Sequence, residues 1–158
     1  MIKLDQLDKQ IVDILTDDGR MSSTDIAKKI GGVTERIVRY RINRLIEKGV
    51  IVISAIVDSR AIGYPVIADV FIEAEPGQVF ELANKLAGYE NVTYVACSTG
   101  ERDISVQIVA RDNHELYNFV ASVIGCLPGV RRTTTSIVPV IIKDDARWRI
   151  PASVIKRK

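Results

Sequence analysis

Apolar residues recur at helical spacing in three successive segments at the start of the chain. Residues 4–17 predict an amphipathic first helix whose first turn holds Asp5 and Asp8, where the helix dipole favours anions. Residues 22–30 predict a short second helix with a serine N-cap, ended by two consecutive glycines. A third helix is predicted to begin after the N-cap Thr34 and to end before a further glycine.

Residues that favour β structure follow the third helix. The stretch 50–58 predicts a strand, and a turn ending at Gly63 follows it. Three short helices and a strand pair predict a compact winged helix-turn-helix domain over residues 1–58, with a linker at 59–65.

The rest of the chain alternates strand-like and helix-like segments. Strands are predicted at 66–74, 92–99, 104–110 and 130–142, and helices at about 79–87 and at 114–126, the latter capped by Asn113. The order β-α-β-β-α-β is that of a ferredoxin-like domain, which we place at 66–143, with a C-terminal tail at 144–158. The predicted fold class is therefore α+β. Because helices on one side leave the other sheet face uncovered, we expect this domain to dimerise.

Composition narrows the class of protein. The 158 residues are 47% apolar and 27% charged, as in folded globular proteins, and no apolar run approaches the roughly 20 residues that span a membrane. The first ten residues lack the apolar segment of a secretory signal, so we expect a cytoplasmic protein. Cys97 and Cys126 form no CxxC pair and are expected to be buried free thiols, the alternative being a disulfide. His114, the only histidine, is expected to have a surface role, and two cysteines and one histidine at these spacings offer no zinc site. The sequence contains no nucleophile-base pair and no phosphate-binding loop, so we predict no catalytic residue, no metal and no cofactor.

Charge is informative only through its placement. Residues 1–63 contain 11 Lys and Arg against 9 Asp and Glu, whereas residues 64–158 contain 11 of each, for a net charge of +2. Such a small excess does not establish nucleic-acid binding.

The third helix places polar groups opposite its apolar side. Val38, Ile42 and Leu45 form the apolar row, and at 100° per residue an outward face is predicted with these members: Arg36, Arg39, Tyr40 and Asn43. Arginine can bind guanine, asparagine can bind adenine, and tyrosine can contact phosphate, so this face suits a DNA major groove. The alternative is a charged face that is simply solvated.

Other residues of the same helix have predicted roles at its start and its flanks. Because recognition helices present their N-terminal part to the bases, Thr34 and Glu35 are expected, with Arg36, nearest the base edges. Arg41 and Arg44 flank the apolar row and could reach the DNA backbone, so Arg44 is included among the predicted DNA-binding residues.

Several motifs in order resemble one known family. The segment of the first helix reads LDQLDKQIVDILTDDGR, and that of the second helix contains DIAKKI. The pattern VxxRIxxLxxxGVI then begins at Val38 in the third helix and ends at Ile51. TGERD, LPGV and TTTSIV follow in the second half. Together they resemble the leucine-responsive regulator/AsnC (Lrp/AsnC) family of transcription regulators, from Leu4 to about Lys143.

The resemblance implies a sequence-specific regulator that binds double-stranded DNA and responds to a small effector, usually an amino acid. It implies homodimers that assemble further into tetramers or octamers. It also implies DNA contacts by the outward face of the third helix, and an effector held between effector domains by a loop and the last strand. The corresponding residues are Gly100, Glu101, Arg102, Asp103, Thr133, Thr134, Thr135 and Ser136.

Three features depart from the family pattern. The turn between the reader helices, IGGVT, is one residue longer than usual and has a second glycine. Arg102 stands where the family has an aromatic or apolar residue, and it could pair with a carboxylate ligand or with Glu101. The tail after Lys143 is longer than usual, and its basic end is expected to be solvated or disordered, with a phosphate contact as the alternative.

Two other function classes stay open on the sequence. Siroheme decarboxylases share the two-domain plan, but the stretch 95–109, which corresponds to their histidine-containing segment, has no histidine here. A pure oligomerisation or amino-acid-buffering module with a vestigial reader is the third class.

Overall fold

The computed structural model describes residues 2–155. The described residues divide into two compact units, one made of residues 2–56 and 142–155 and the other of Val57–Ile141. We call the first the helical unit and the second the sheet unit. Among the described residues, none of the helices has the length and apolar character that crossing a membrane requires.

The helical unit contains the three predicted helices. They are α1 (Gln6–Asp17), α2 (Ser23–Ile30) and α3 (Glu35–Glu47). Asp5 caps α1 in a reciprocal capping box with Asp8, Ser22 caps α2 and Thr34 caps α3, so each helix begins where a side-chain acceptor is available.

Two glycines make the turn between α2 and α3. Gly31 and Gly32 have φ angles of 73° and 69°, in the left-handed region that other residues rarely adopt. A Cβ at either position would meet nothing within 4 Å, so the backbone angle and not the space requires glycine here. The unusual second glycine is therefore part of the turn geometry.

Two apolar clusters hold the helical unit together. Ile11, Ile26 and Val38 bring one residue of each helix into the first cluster. Leu4, Val12 and Leu45 form the second cluster, with other residues packed against it: Ile2, Val50, Ile51, Ile150 and Ile155. Two of those come from the C-terminal tail.

The tail packs on the helical unit instead of extending from it. Besides the two isoleucines, Arg149 donates to the backbone oxygen of Asp13 and pairs with Asp17, both on α1. The sequence analysis set residues 144–158 apart from both domains as a tail. The described part of that tail, up to Ile155, belongs to the helical unit. The predicted solvated basic end, residues 156–158, lies outside the described residues.

The predicted strand at 50–58 does not form. Residues 51–58 have no regular secondary structure, and Val52 and Ile56 are exposed by 86% and 74%. A strand needs a hydrogen-bonding partner, and no other described segment pairs with this one. The wing that the sequence predicts is therefore missing from the described chain.

The sheet unit has the predicted ferredoxin-like topology, and the α+β class is confirmed. Its elements are β1 (Val66–Ala74), α4 (Val79–Leu86), β2 (Val92–Cys97), β3 (Ile104–Ala110), α5 (Asn113–Asn118) and β4 (Val130–Ile137). The strands are antiparallel in the order β2-β3-β1-β4.

Alternation along the strands separates two faces of the sheet. Val70 pairs with Val106 and Ile72 with Ile104, and these buried side chains pack with Leu86 and other residues of the helices. The helices α4 and α5 pack on this side of the sheet, and we call the opposite side the open face. It includes Asp69, Phe71, Gln107, Thr134 and Ser136, by the same alternation.

Three predicted boundaries in the sheet unit were wrong. The N-cap of α5 is Asp112 and not Asn113, because the Asp112 side chain accepts from the amide of Glu115. Strand β2 ends at Cys97 and not at residue 99. The helical segment itself runs to Cys126 as predicted, with a π-helical turn and then a 3₁₀ turn after Asn118. The last strand ends at Ile137, two residues before a proline, which cannot donate to a ladder.

The cysteines also differ from expectation. Cys97 and Cys126 are both free, as predicted, but both are exposed and not buried. Cys97 ends the edge strand β2, and Cys126 lies in the final turn after α5, where neither position is covered.

Candidate nucleic-acid interface and effector site

The outward face of α3 is exposed as its periodicity predicts. Val38 and Leu45 are fully buried, whereas all four predicted members of the opposite face are exposed: Arg36, Arg39, Tyr40 and Asn43. We call these four residues the recognition face. Tyr40 is 64% exposed, so its ring and hydroxyl are accessible to a partner at this surface. Thr34 is exposed, but its hydroxyl already accepts from the amide of Ile37 as the N-cap.

One ion pair lies on this surface. Arg39 Nη2 donates to Glu35 Oε1, one helical turn earlier. The two side chains are 64% and 42% exposed, so the pair contributes only about 0.3–0.5 kcal/mol and can be exchanged for another partner. Glu35 therefore holds the Arg39 guanidinium at the surface without burying it.

The flanking arginines of α3 point inward, to carboxylates of α1. Asp8 Oδ1 accepts from Arg41 Nη1 at 3.0 Å, and Asp8 Oδ2 accepts from Arg44 Nη2 at 2.7 Å. Asp5 Oδ2 accepts from the same Arg41 nitrogen at 2.8 Å. Arg44, predicted to bind DNA, is thus engaged inside the unit and does not join the recognition face.

Asp8 is the buried member of this group, with no exposed surface. Asp5 is about half-exposed; its partial burial raises its pKa, but the amide of Asp8 and the guanidinium of Arg41 lower that pKa more, so it lies below the usual value. Burial lowers the pKa of Arg41, but the hydrogen bonds that its guanidinium donates to Asp5 and Asp8 outweigh that effect and raise the pKa.

The sequence contained a signal for this group that periodicity alone did not interpret. Asp8 occupies the apolar row that runs from Leu4 through Ile11 to Leu15 along α1. A carboxylate at such a position requires a buried cationic partner. Arg41 and Arg44 border the apolar row of α3, and they supply it.

The predicted effector loop lies between β2 and β3. Gly100, Glu101 and Arg102 are exposed, whereas Asp103 is partly buried. Asp103 Oδ2 accepts from the amide of Ala74 at 2.8 Å, so one of its oxygens is used by the fold. Arg102 is not paired with Glu101, because its guanidinium stacks 4.3 Å from the centroid of the Phe71 ring.

The predicted β4 residues divide between the two faces of the sheet. Thr133 and Thr135 pair with Ile72 and Val70 and lie on the helix-covered face, where they line a groove of about 470 Å³ beside α5. Thr134 and Ser136 alternate with them and therefore lie on the open face.

Part of the predicted effector set meets on the open face. Thr134 pairs directly with Phe71, on whose ring the Arg102 guanidinium stacks. Ser136 pairs with Asp69, whose Oδ1 accepts from Gln107 Nε2 at 3.0 Å. A cation, two hydroxyls and a carboxylate therefore lie on one surface, with Asp69 and Gln107 as members that the sequence analysis did not identify.

Other candidate chemistry is weak in the described residues. His114 is exposed, with its Nε2 near the Asn118 amide, and between residues 2 and 155 no three His, Cys, Asp or Glu side chains converge as metal ligands.

Most of the chain matches models of known protein domains. Residues 4–46 match the AsnC-type helix-turn-helix domain, and residues 67–148 match the Lrp/AsnC ligand binding domain. The sequence is 37% identical over 143 residues to an uncharacterized HTH-type transcriptional regulator of Pyrococcus abyssi, covering 90% of each protein. It is 38% identical over 138 residues to the HTH-type transcriptional regulator FL11 of Pyrococcus horikoshii, covering 87% of this chain and 90% of that protein.

The fold is also shared with solved structures. A transcriptional regulator from Neisseria meningitidis, solved as a complex with L-methionine, superimposes with a TM-score of 0.82. The identity is 20%, and the alignment covers 90% of this chain and 94% of that one, which establishes the common fold.

Proposed function

We propose that this chain, which belongs to the Lrp/AsnC family of transcription regulators, recognises a specific double-stranded DNA sequence through its recognition face. Its homologues are HTH-type transcriptional regulators, so the chain belongs to a family of regulators and not to one of enzymes. The observation that carries the proposal is the exposure of Arg36, Arg39, Tyr40 and Asn43 on one side of a helix anchored by Val38 and Leu45 on the other.

The roles of these residues follow from their chemistry. Arg36 lies in the first turn of α3 and is assigned to a guanine edge, with Glu35 and Thr34 beside it near the bases. Asn43 is assigned to an adenine edge two turns later, and Tyr40 to a phosphate. Arg39 exchanges its exposed partner Glu35 for DNA.

A homodimer is the assembly that we propose for DNA binding. The apolar segment 51–58 has no strand partner in the described chain, and α4 and α5 pack on the side of the sheet opposite the open face. A second copy could cover both. A two-fold dimer presents two copies of α3 to successive major grooves about 34 Å apart, and so it binds a pseudo-palindrome. Further assembly to tetramers or octamers would let DNA wrap around the particle.

Selection from a random duplex library tests DNA recognition. We expect enrichment of one pseudo-palindrome and a steep loss of affinity as salt rises, since several phosphates are contacted. The double variant Arg39→Ala with Asn43→Ala removes two base contacts, each worth about 1–3 kcal/mol, so its preference for the selected duplex should fall about 100-fold.

Arg131→Ala is the matched control, because Arg131 is an exposed arginine of the sheet unit. This variant should keep the preference for the selected duplex. No enrichment by the wild-type chain would contradict the proposed function. A double variant that still selects the same sequence would show that the recognition face is wrongly assigned.

The effector that we propose is an amino acid held between effector domains at the open face. Arg102 and Thr134 suit its carboxylate, and Asp69 suits its ammonium group. The family model that matches residues 67–148 is a ligand binding domain, and the structurally similar Neisseria protein was solved as a complex with L-methionine. Gly100 and Glu101 complete the loop, Asp103 holds it against β1, and Ser136 is next to Asp69.

Calorimetric titration with the 20 amino acids tests the effector site. We expect one chemical group of them to bind, and Arg102→Ala to weaken that binding about tenfold or more, since a charge-assisted contact to the carboxylate is lost. Arg111→Ala is the control, because Arg111 is exposed and pairs with Glu115 on α5. Equal binding by both variants would move the site elsewhere, and Thr133 and Thr135 in the groove beside α5 would be the next place to substitute.

A further inference from the structure

Asp8 is the one residue that Arg41 and Arg44 share. Its two carboxylate oxygens each accept from a different arginine of α3, at 3.0 Å and 2.7 Å. It is also the only buried charged residue in the part of the chain that the structure describes. The recognition helix is thus joined to α1 through one carboxylate that solvent does not reach.

The carboxylate is itself fixed in place. The amide of Asp8 donates to Asp5 Oδ1 at 3.0 Å, and the amide of Asp5 donates to Asp8 Oδ2 at 3.1 Å. This capping box ties both side chains to the first turn of α1. Asp5 then gives Arg41 a second acceptor at 2.8 Å.

The spacing of the two arginines determines what this attachment can do. Arg41 and Arg44 are three residues apart, so they lie on one side of α3 on adjacent turns. Two directional bonds on adjacent turns restrict both the rotation of the helix about its axis and its movement along that axis. The apolar attraction that buries Val38 and Leu45 is non-directional and joins no particular pair of atoms.

Small rotations matter for base recognition. A helix with its side chains is about 10–12 Å across, so a rotation of about 20° moves a side-chain tip by roughly 2 Å. Hydrogen bonds to base edges form only over a range of about 0.5 Å, so such a rotation would break them. Long, flexible side chains can follow a phosphate through the same movement. Such phosphate contacts carry no sequence information.

We propose that Asp8 is a positioning residue for DNA recognition, which sets the orientation of α3 through Arg41 and Arg44 and so determines sequence discrimination. This inference rests on the proposed function of the recognition face. Asp8 makes no contact with DNA; it holds the helix in the one orientation in which Arg36, Arg39 and Asn43 match the base edges.

The test compares affinity for the selected duplex with affinity for a scrambled duplex of the same length. In Asp8→Asn, which keeps the size of the side chain and loses its charge, we expect the ratio of the two affinities to fall about tenfold or more. Affinity for the scrambled duplex and its salt dependence should stay near wild type, because phosphate contacts remain.

Two further variants keep the test decisive. Ile14→Ala removes apolar contacts on another side of α1, and it serves as the stability control when all measurements are made well below its melting temperature. The triple variant Asp8→Leu, Arg41→Met, Arg44→Met replaces the ion pairs by apolar residues. Such residues can preserve folding, but they form no directional bonds that orient α3. It should fold and yet show the same loss of discrimination as Asp8→Asn.

Each outcome decides between the two proposals. A wild-type chain that selects no duplex contradicts the proposed function, and this inference with it. A wild-type chain that discriminates, alongside folded Asp8 variants that discriminate equally, overturns the positioning role alone. If Ile14→Ala also lost discrimination between the selected and the scrambled duplex, Asp8 would act by stabilising the unit and not by orienting α3. If Asp8→Asn fails to fold, the triple variant decides.

Discussion

The helical and sheet units are held together by different kinds of interaction. The sheet unit buries one continuous apolar face, with strands joined by backbone hydrogen bonds and no buried charged residue among those described. The helical unit divides its apolar residues between two smaller clusters and adds a buried carboxylate that links α1 to α3.

The difference matters because directional and non-directional forces fail in different ways. An apolar core tolerates exchange of similar side chains, since burial is roughly proportional to area. A buried ion pair tolerates few substitutions, because removing one partner leaves the other charge unpaired and out of contact with water. The helical unit therefore depends more on a few named atoms, such as the oxygens of Asp8, than the sheet unit does.

Removing the buried carboxylate should have the largest effect. Asp8→Ala leaves Arg41 and Arg44 without their shared partner, and we expect the free energy of unfolding of the helical unit to fall by about 3–5 kcal/mol. Hydrogen exchange measured by mass spectrometry resolves the two units, and faster exchange should be confined to peptides of the helical unit.

Leu86→Ala is the matched substitution in the sheet unit, where Leu86 is fully buried. This substitution should lower the free energy of unfolding of the sheet unit by about 2–5 kcal/mol, and faster hydrogen exchange should appear in peptides of the sheet unit only. If Asp8→Ala left the helical unit as stable as wild type, the contrast drawn between the two units would be wrong.

Removal of the tail should have an intermediate effect. Ile150 and Ile155 are only partly buried against Leu4, Val12 and Leu45, so deletion of residues 145–158 should lower the stability of the helical unit by about 1–2 kcal/mol. Arg149→Ala should account for little of that loss, because its ion pair with Asp17 is exposed. Urea unfolding followed by far-ultraviolet circular dichroism measures both, and a deletion that leaves the helical unit unchanged would show that the tail only rests on it.

Periodicity predicted much of both units, because it depends on local sequence. The row of Val38, Ile42 and Leu45 gave the buried side of α3, and therefore the exposed recognition face. The strands at 66–74 and 104–110 have the predicted bounds, since alternation and β propensity agree there. The family resemblance is confirmed by both domain models.

The errors arose where a distant partner decides the outcome. Residues 50–58 favour a strand locally, but no described segment pairs with them. The effector role of Thr133 to Ser136 stays a prediction, with Thr134 and Ser136 on the open face and Thr133 and Thr135 on the other. The bond between Arg44 and Asp8 joins residues 36 apart, a distance that local patterns do not span, and DNA contact by Arg44 stays a prediction.

The smallest expected effect concerns Asp5, which lies at the edge of the buried network. Its pKa is lowered in the folded chain, so its charge stabilises the helical unit above the unfolded pKa of about 3.9, and that stabilisation is lost as pH falls through the folded value. Asp5→Asn keeps an N-cap but removes the charge. From urea titrations, its free energy of unfolding should lie below that of wild type at pH 6, by less than about 1 kcal/mol because Asp5 is half-exposed, and the two should converge as pH falls below the folded pKa of Asp5. A difference that stayed constant with pH would mean that Asp5 acts through its shape and not through its charge.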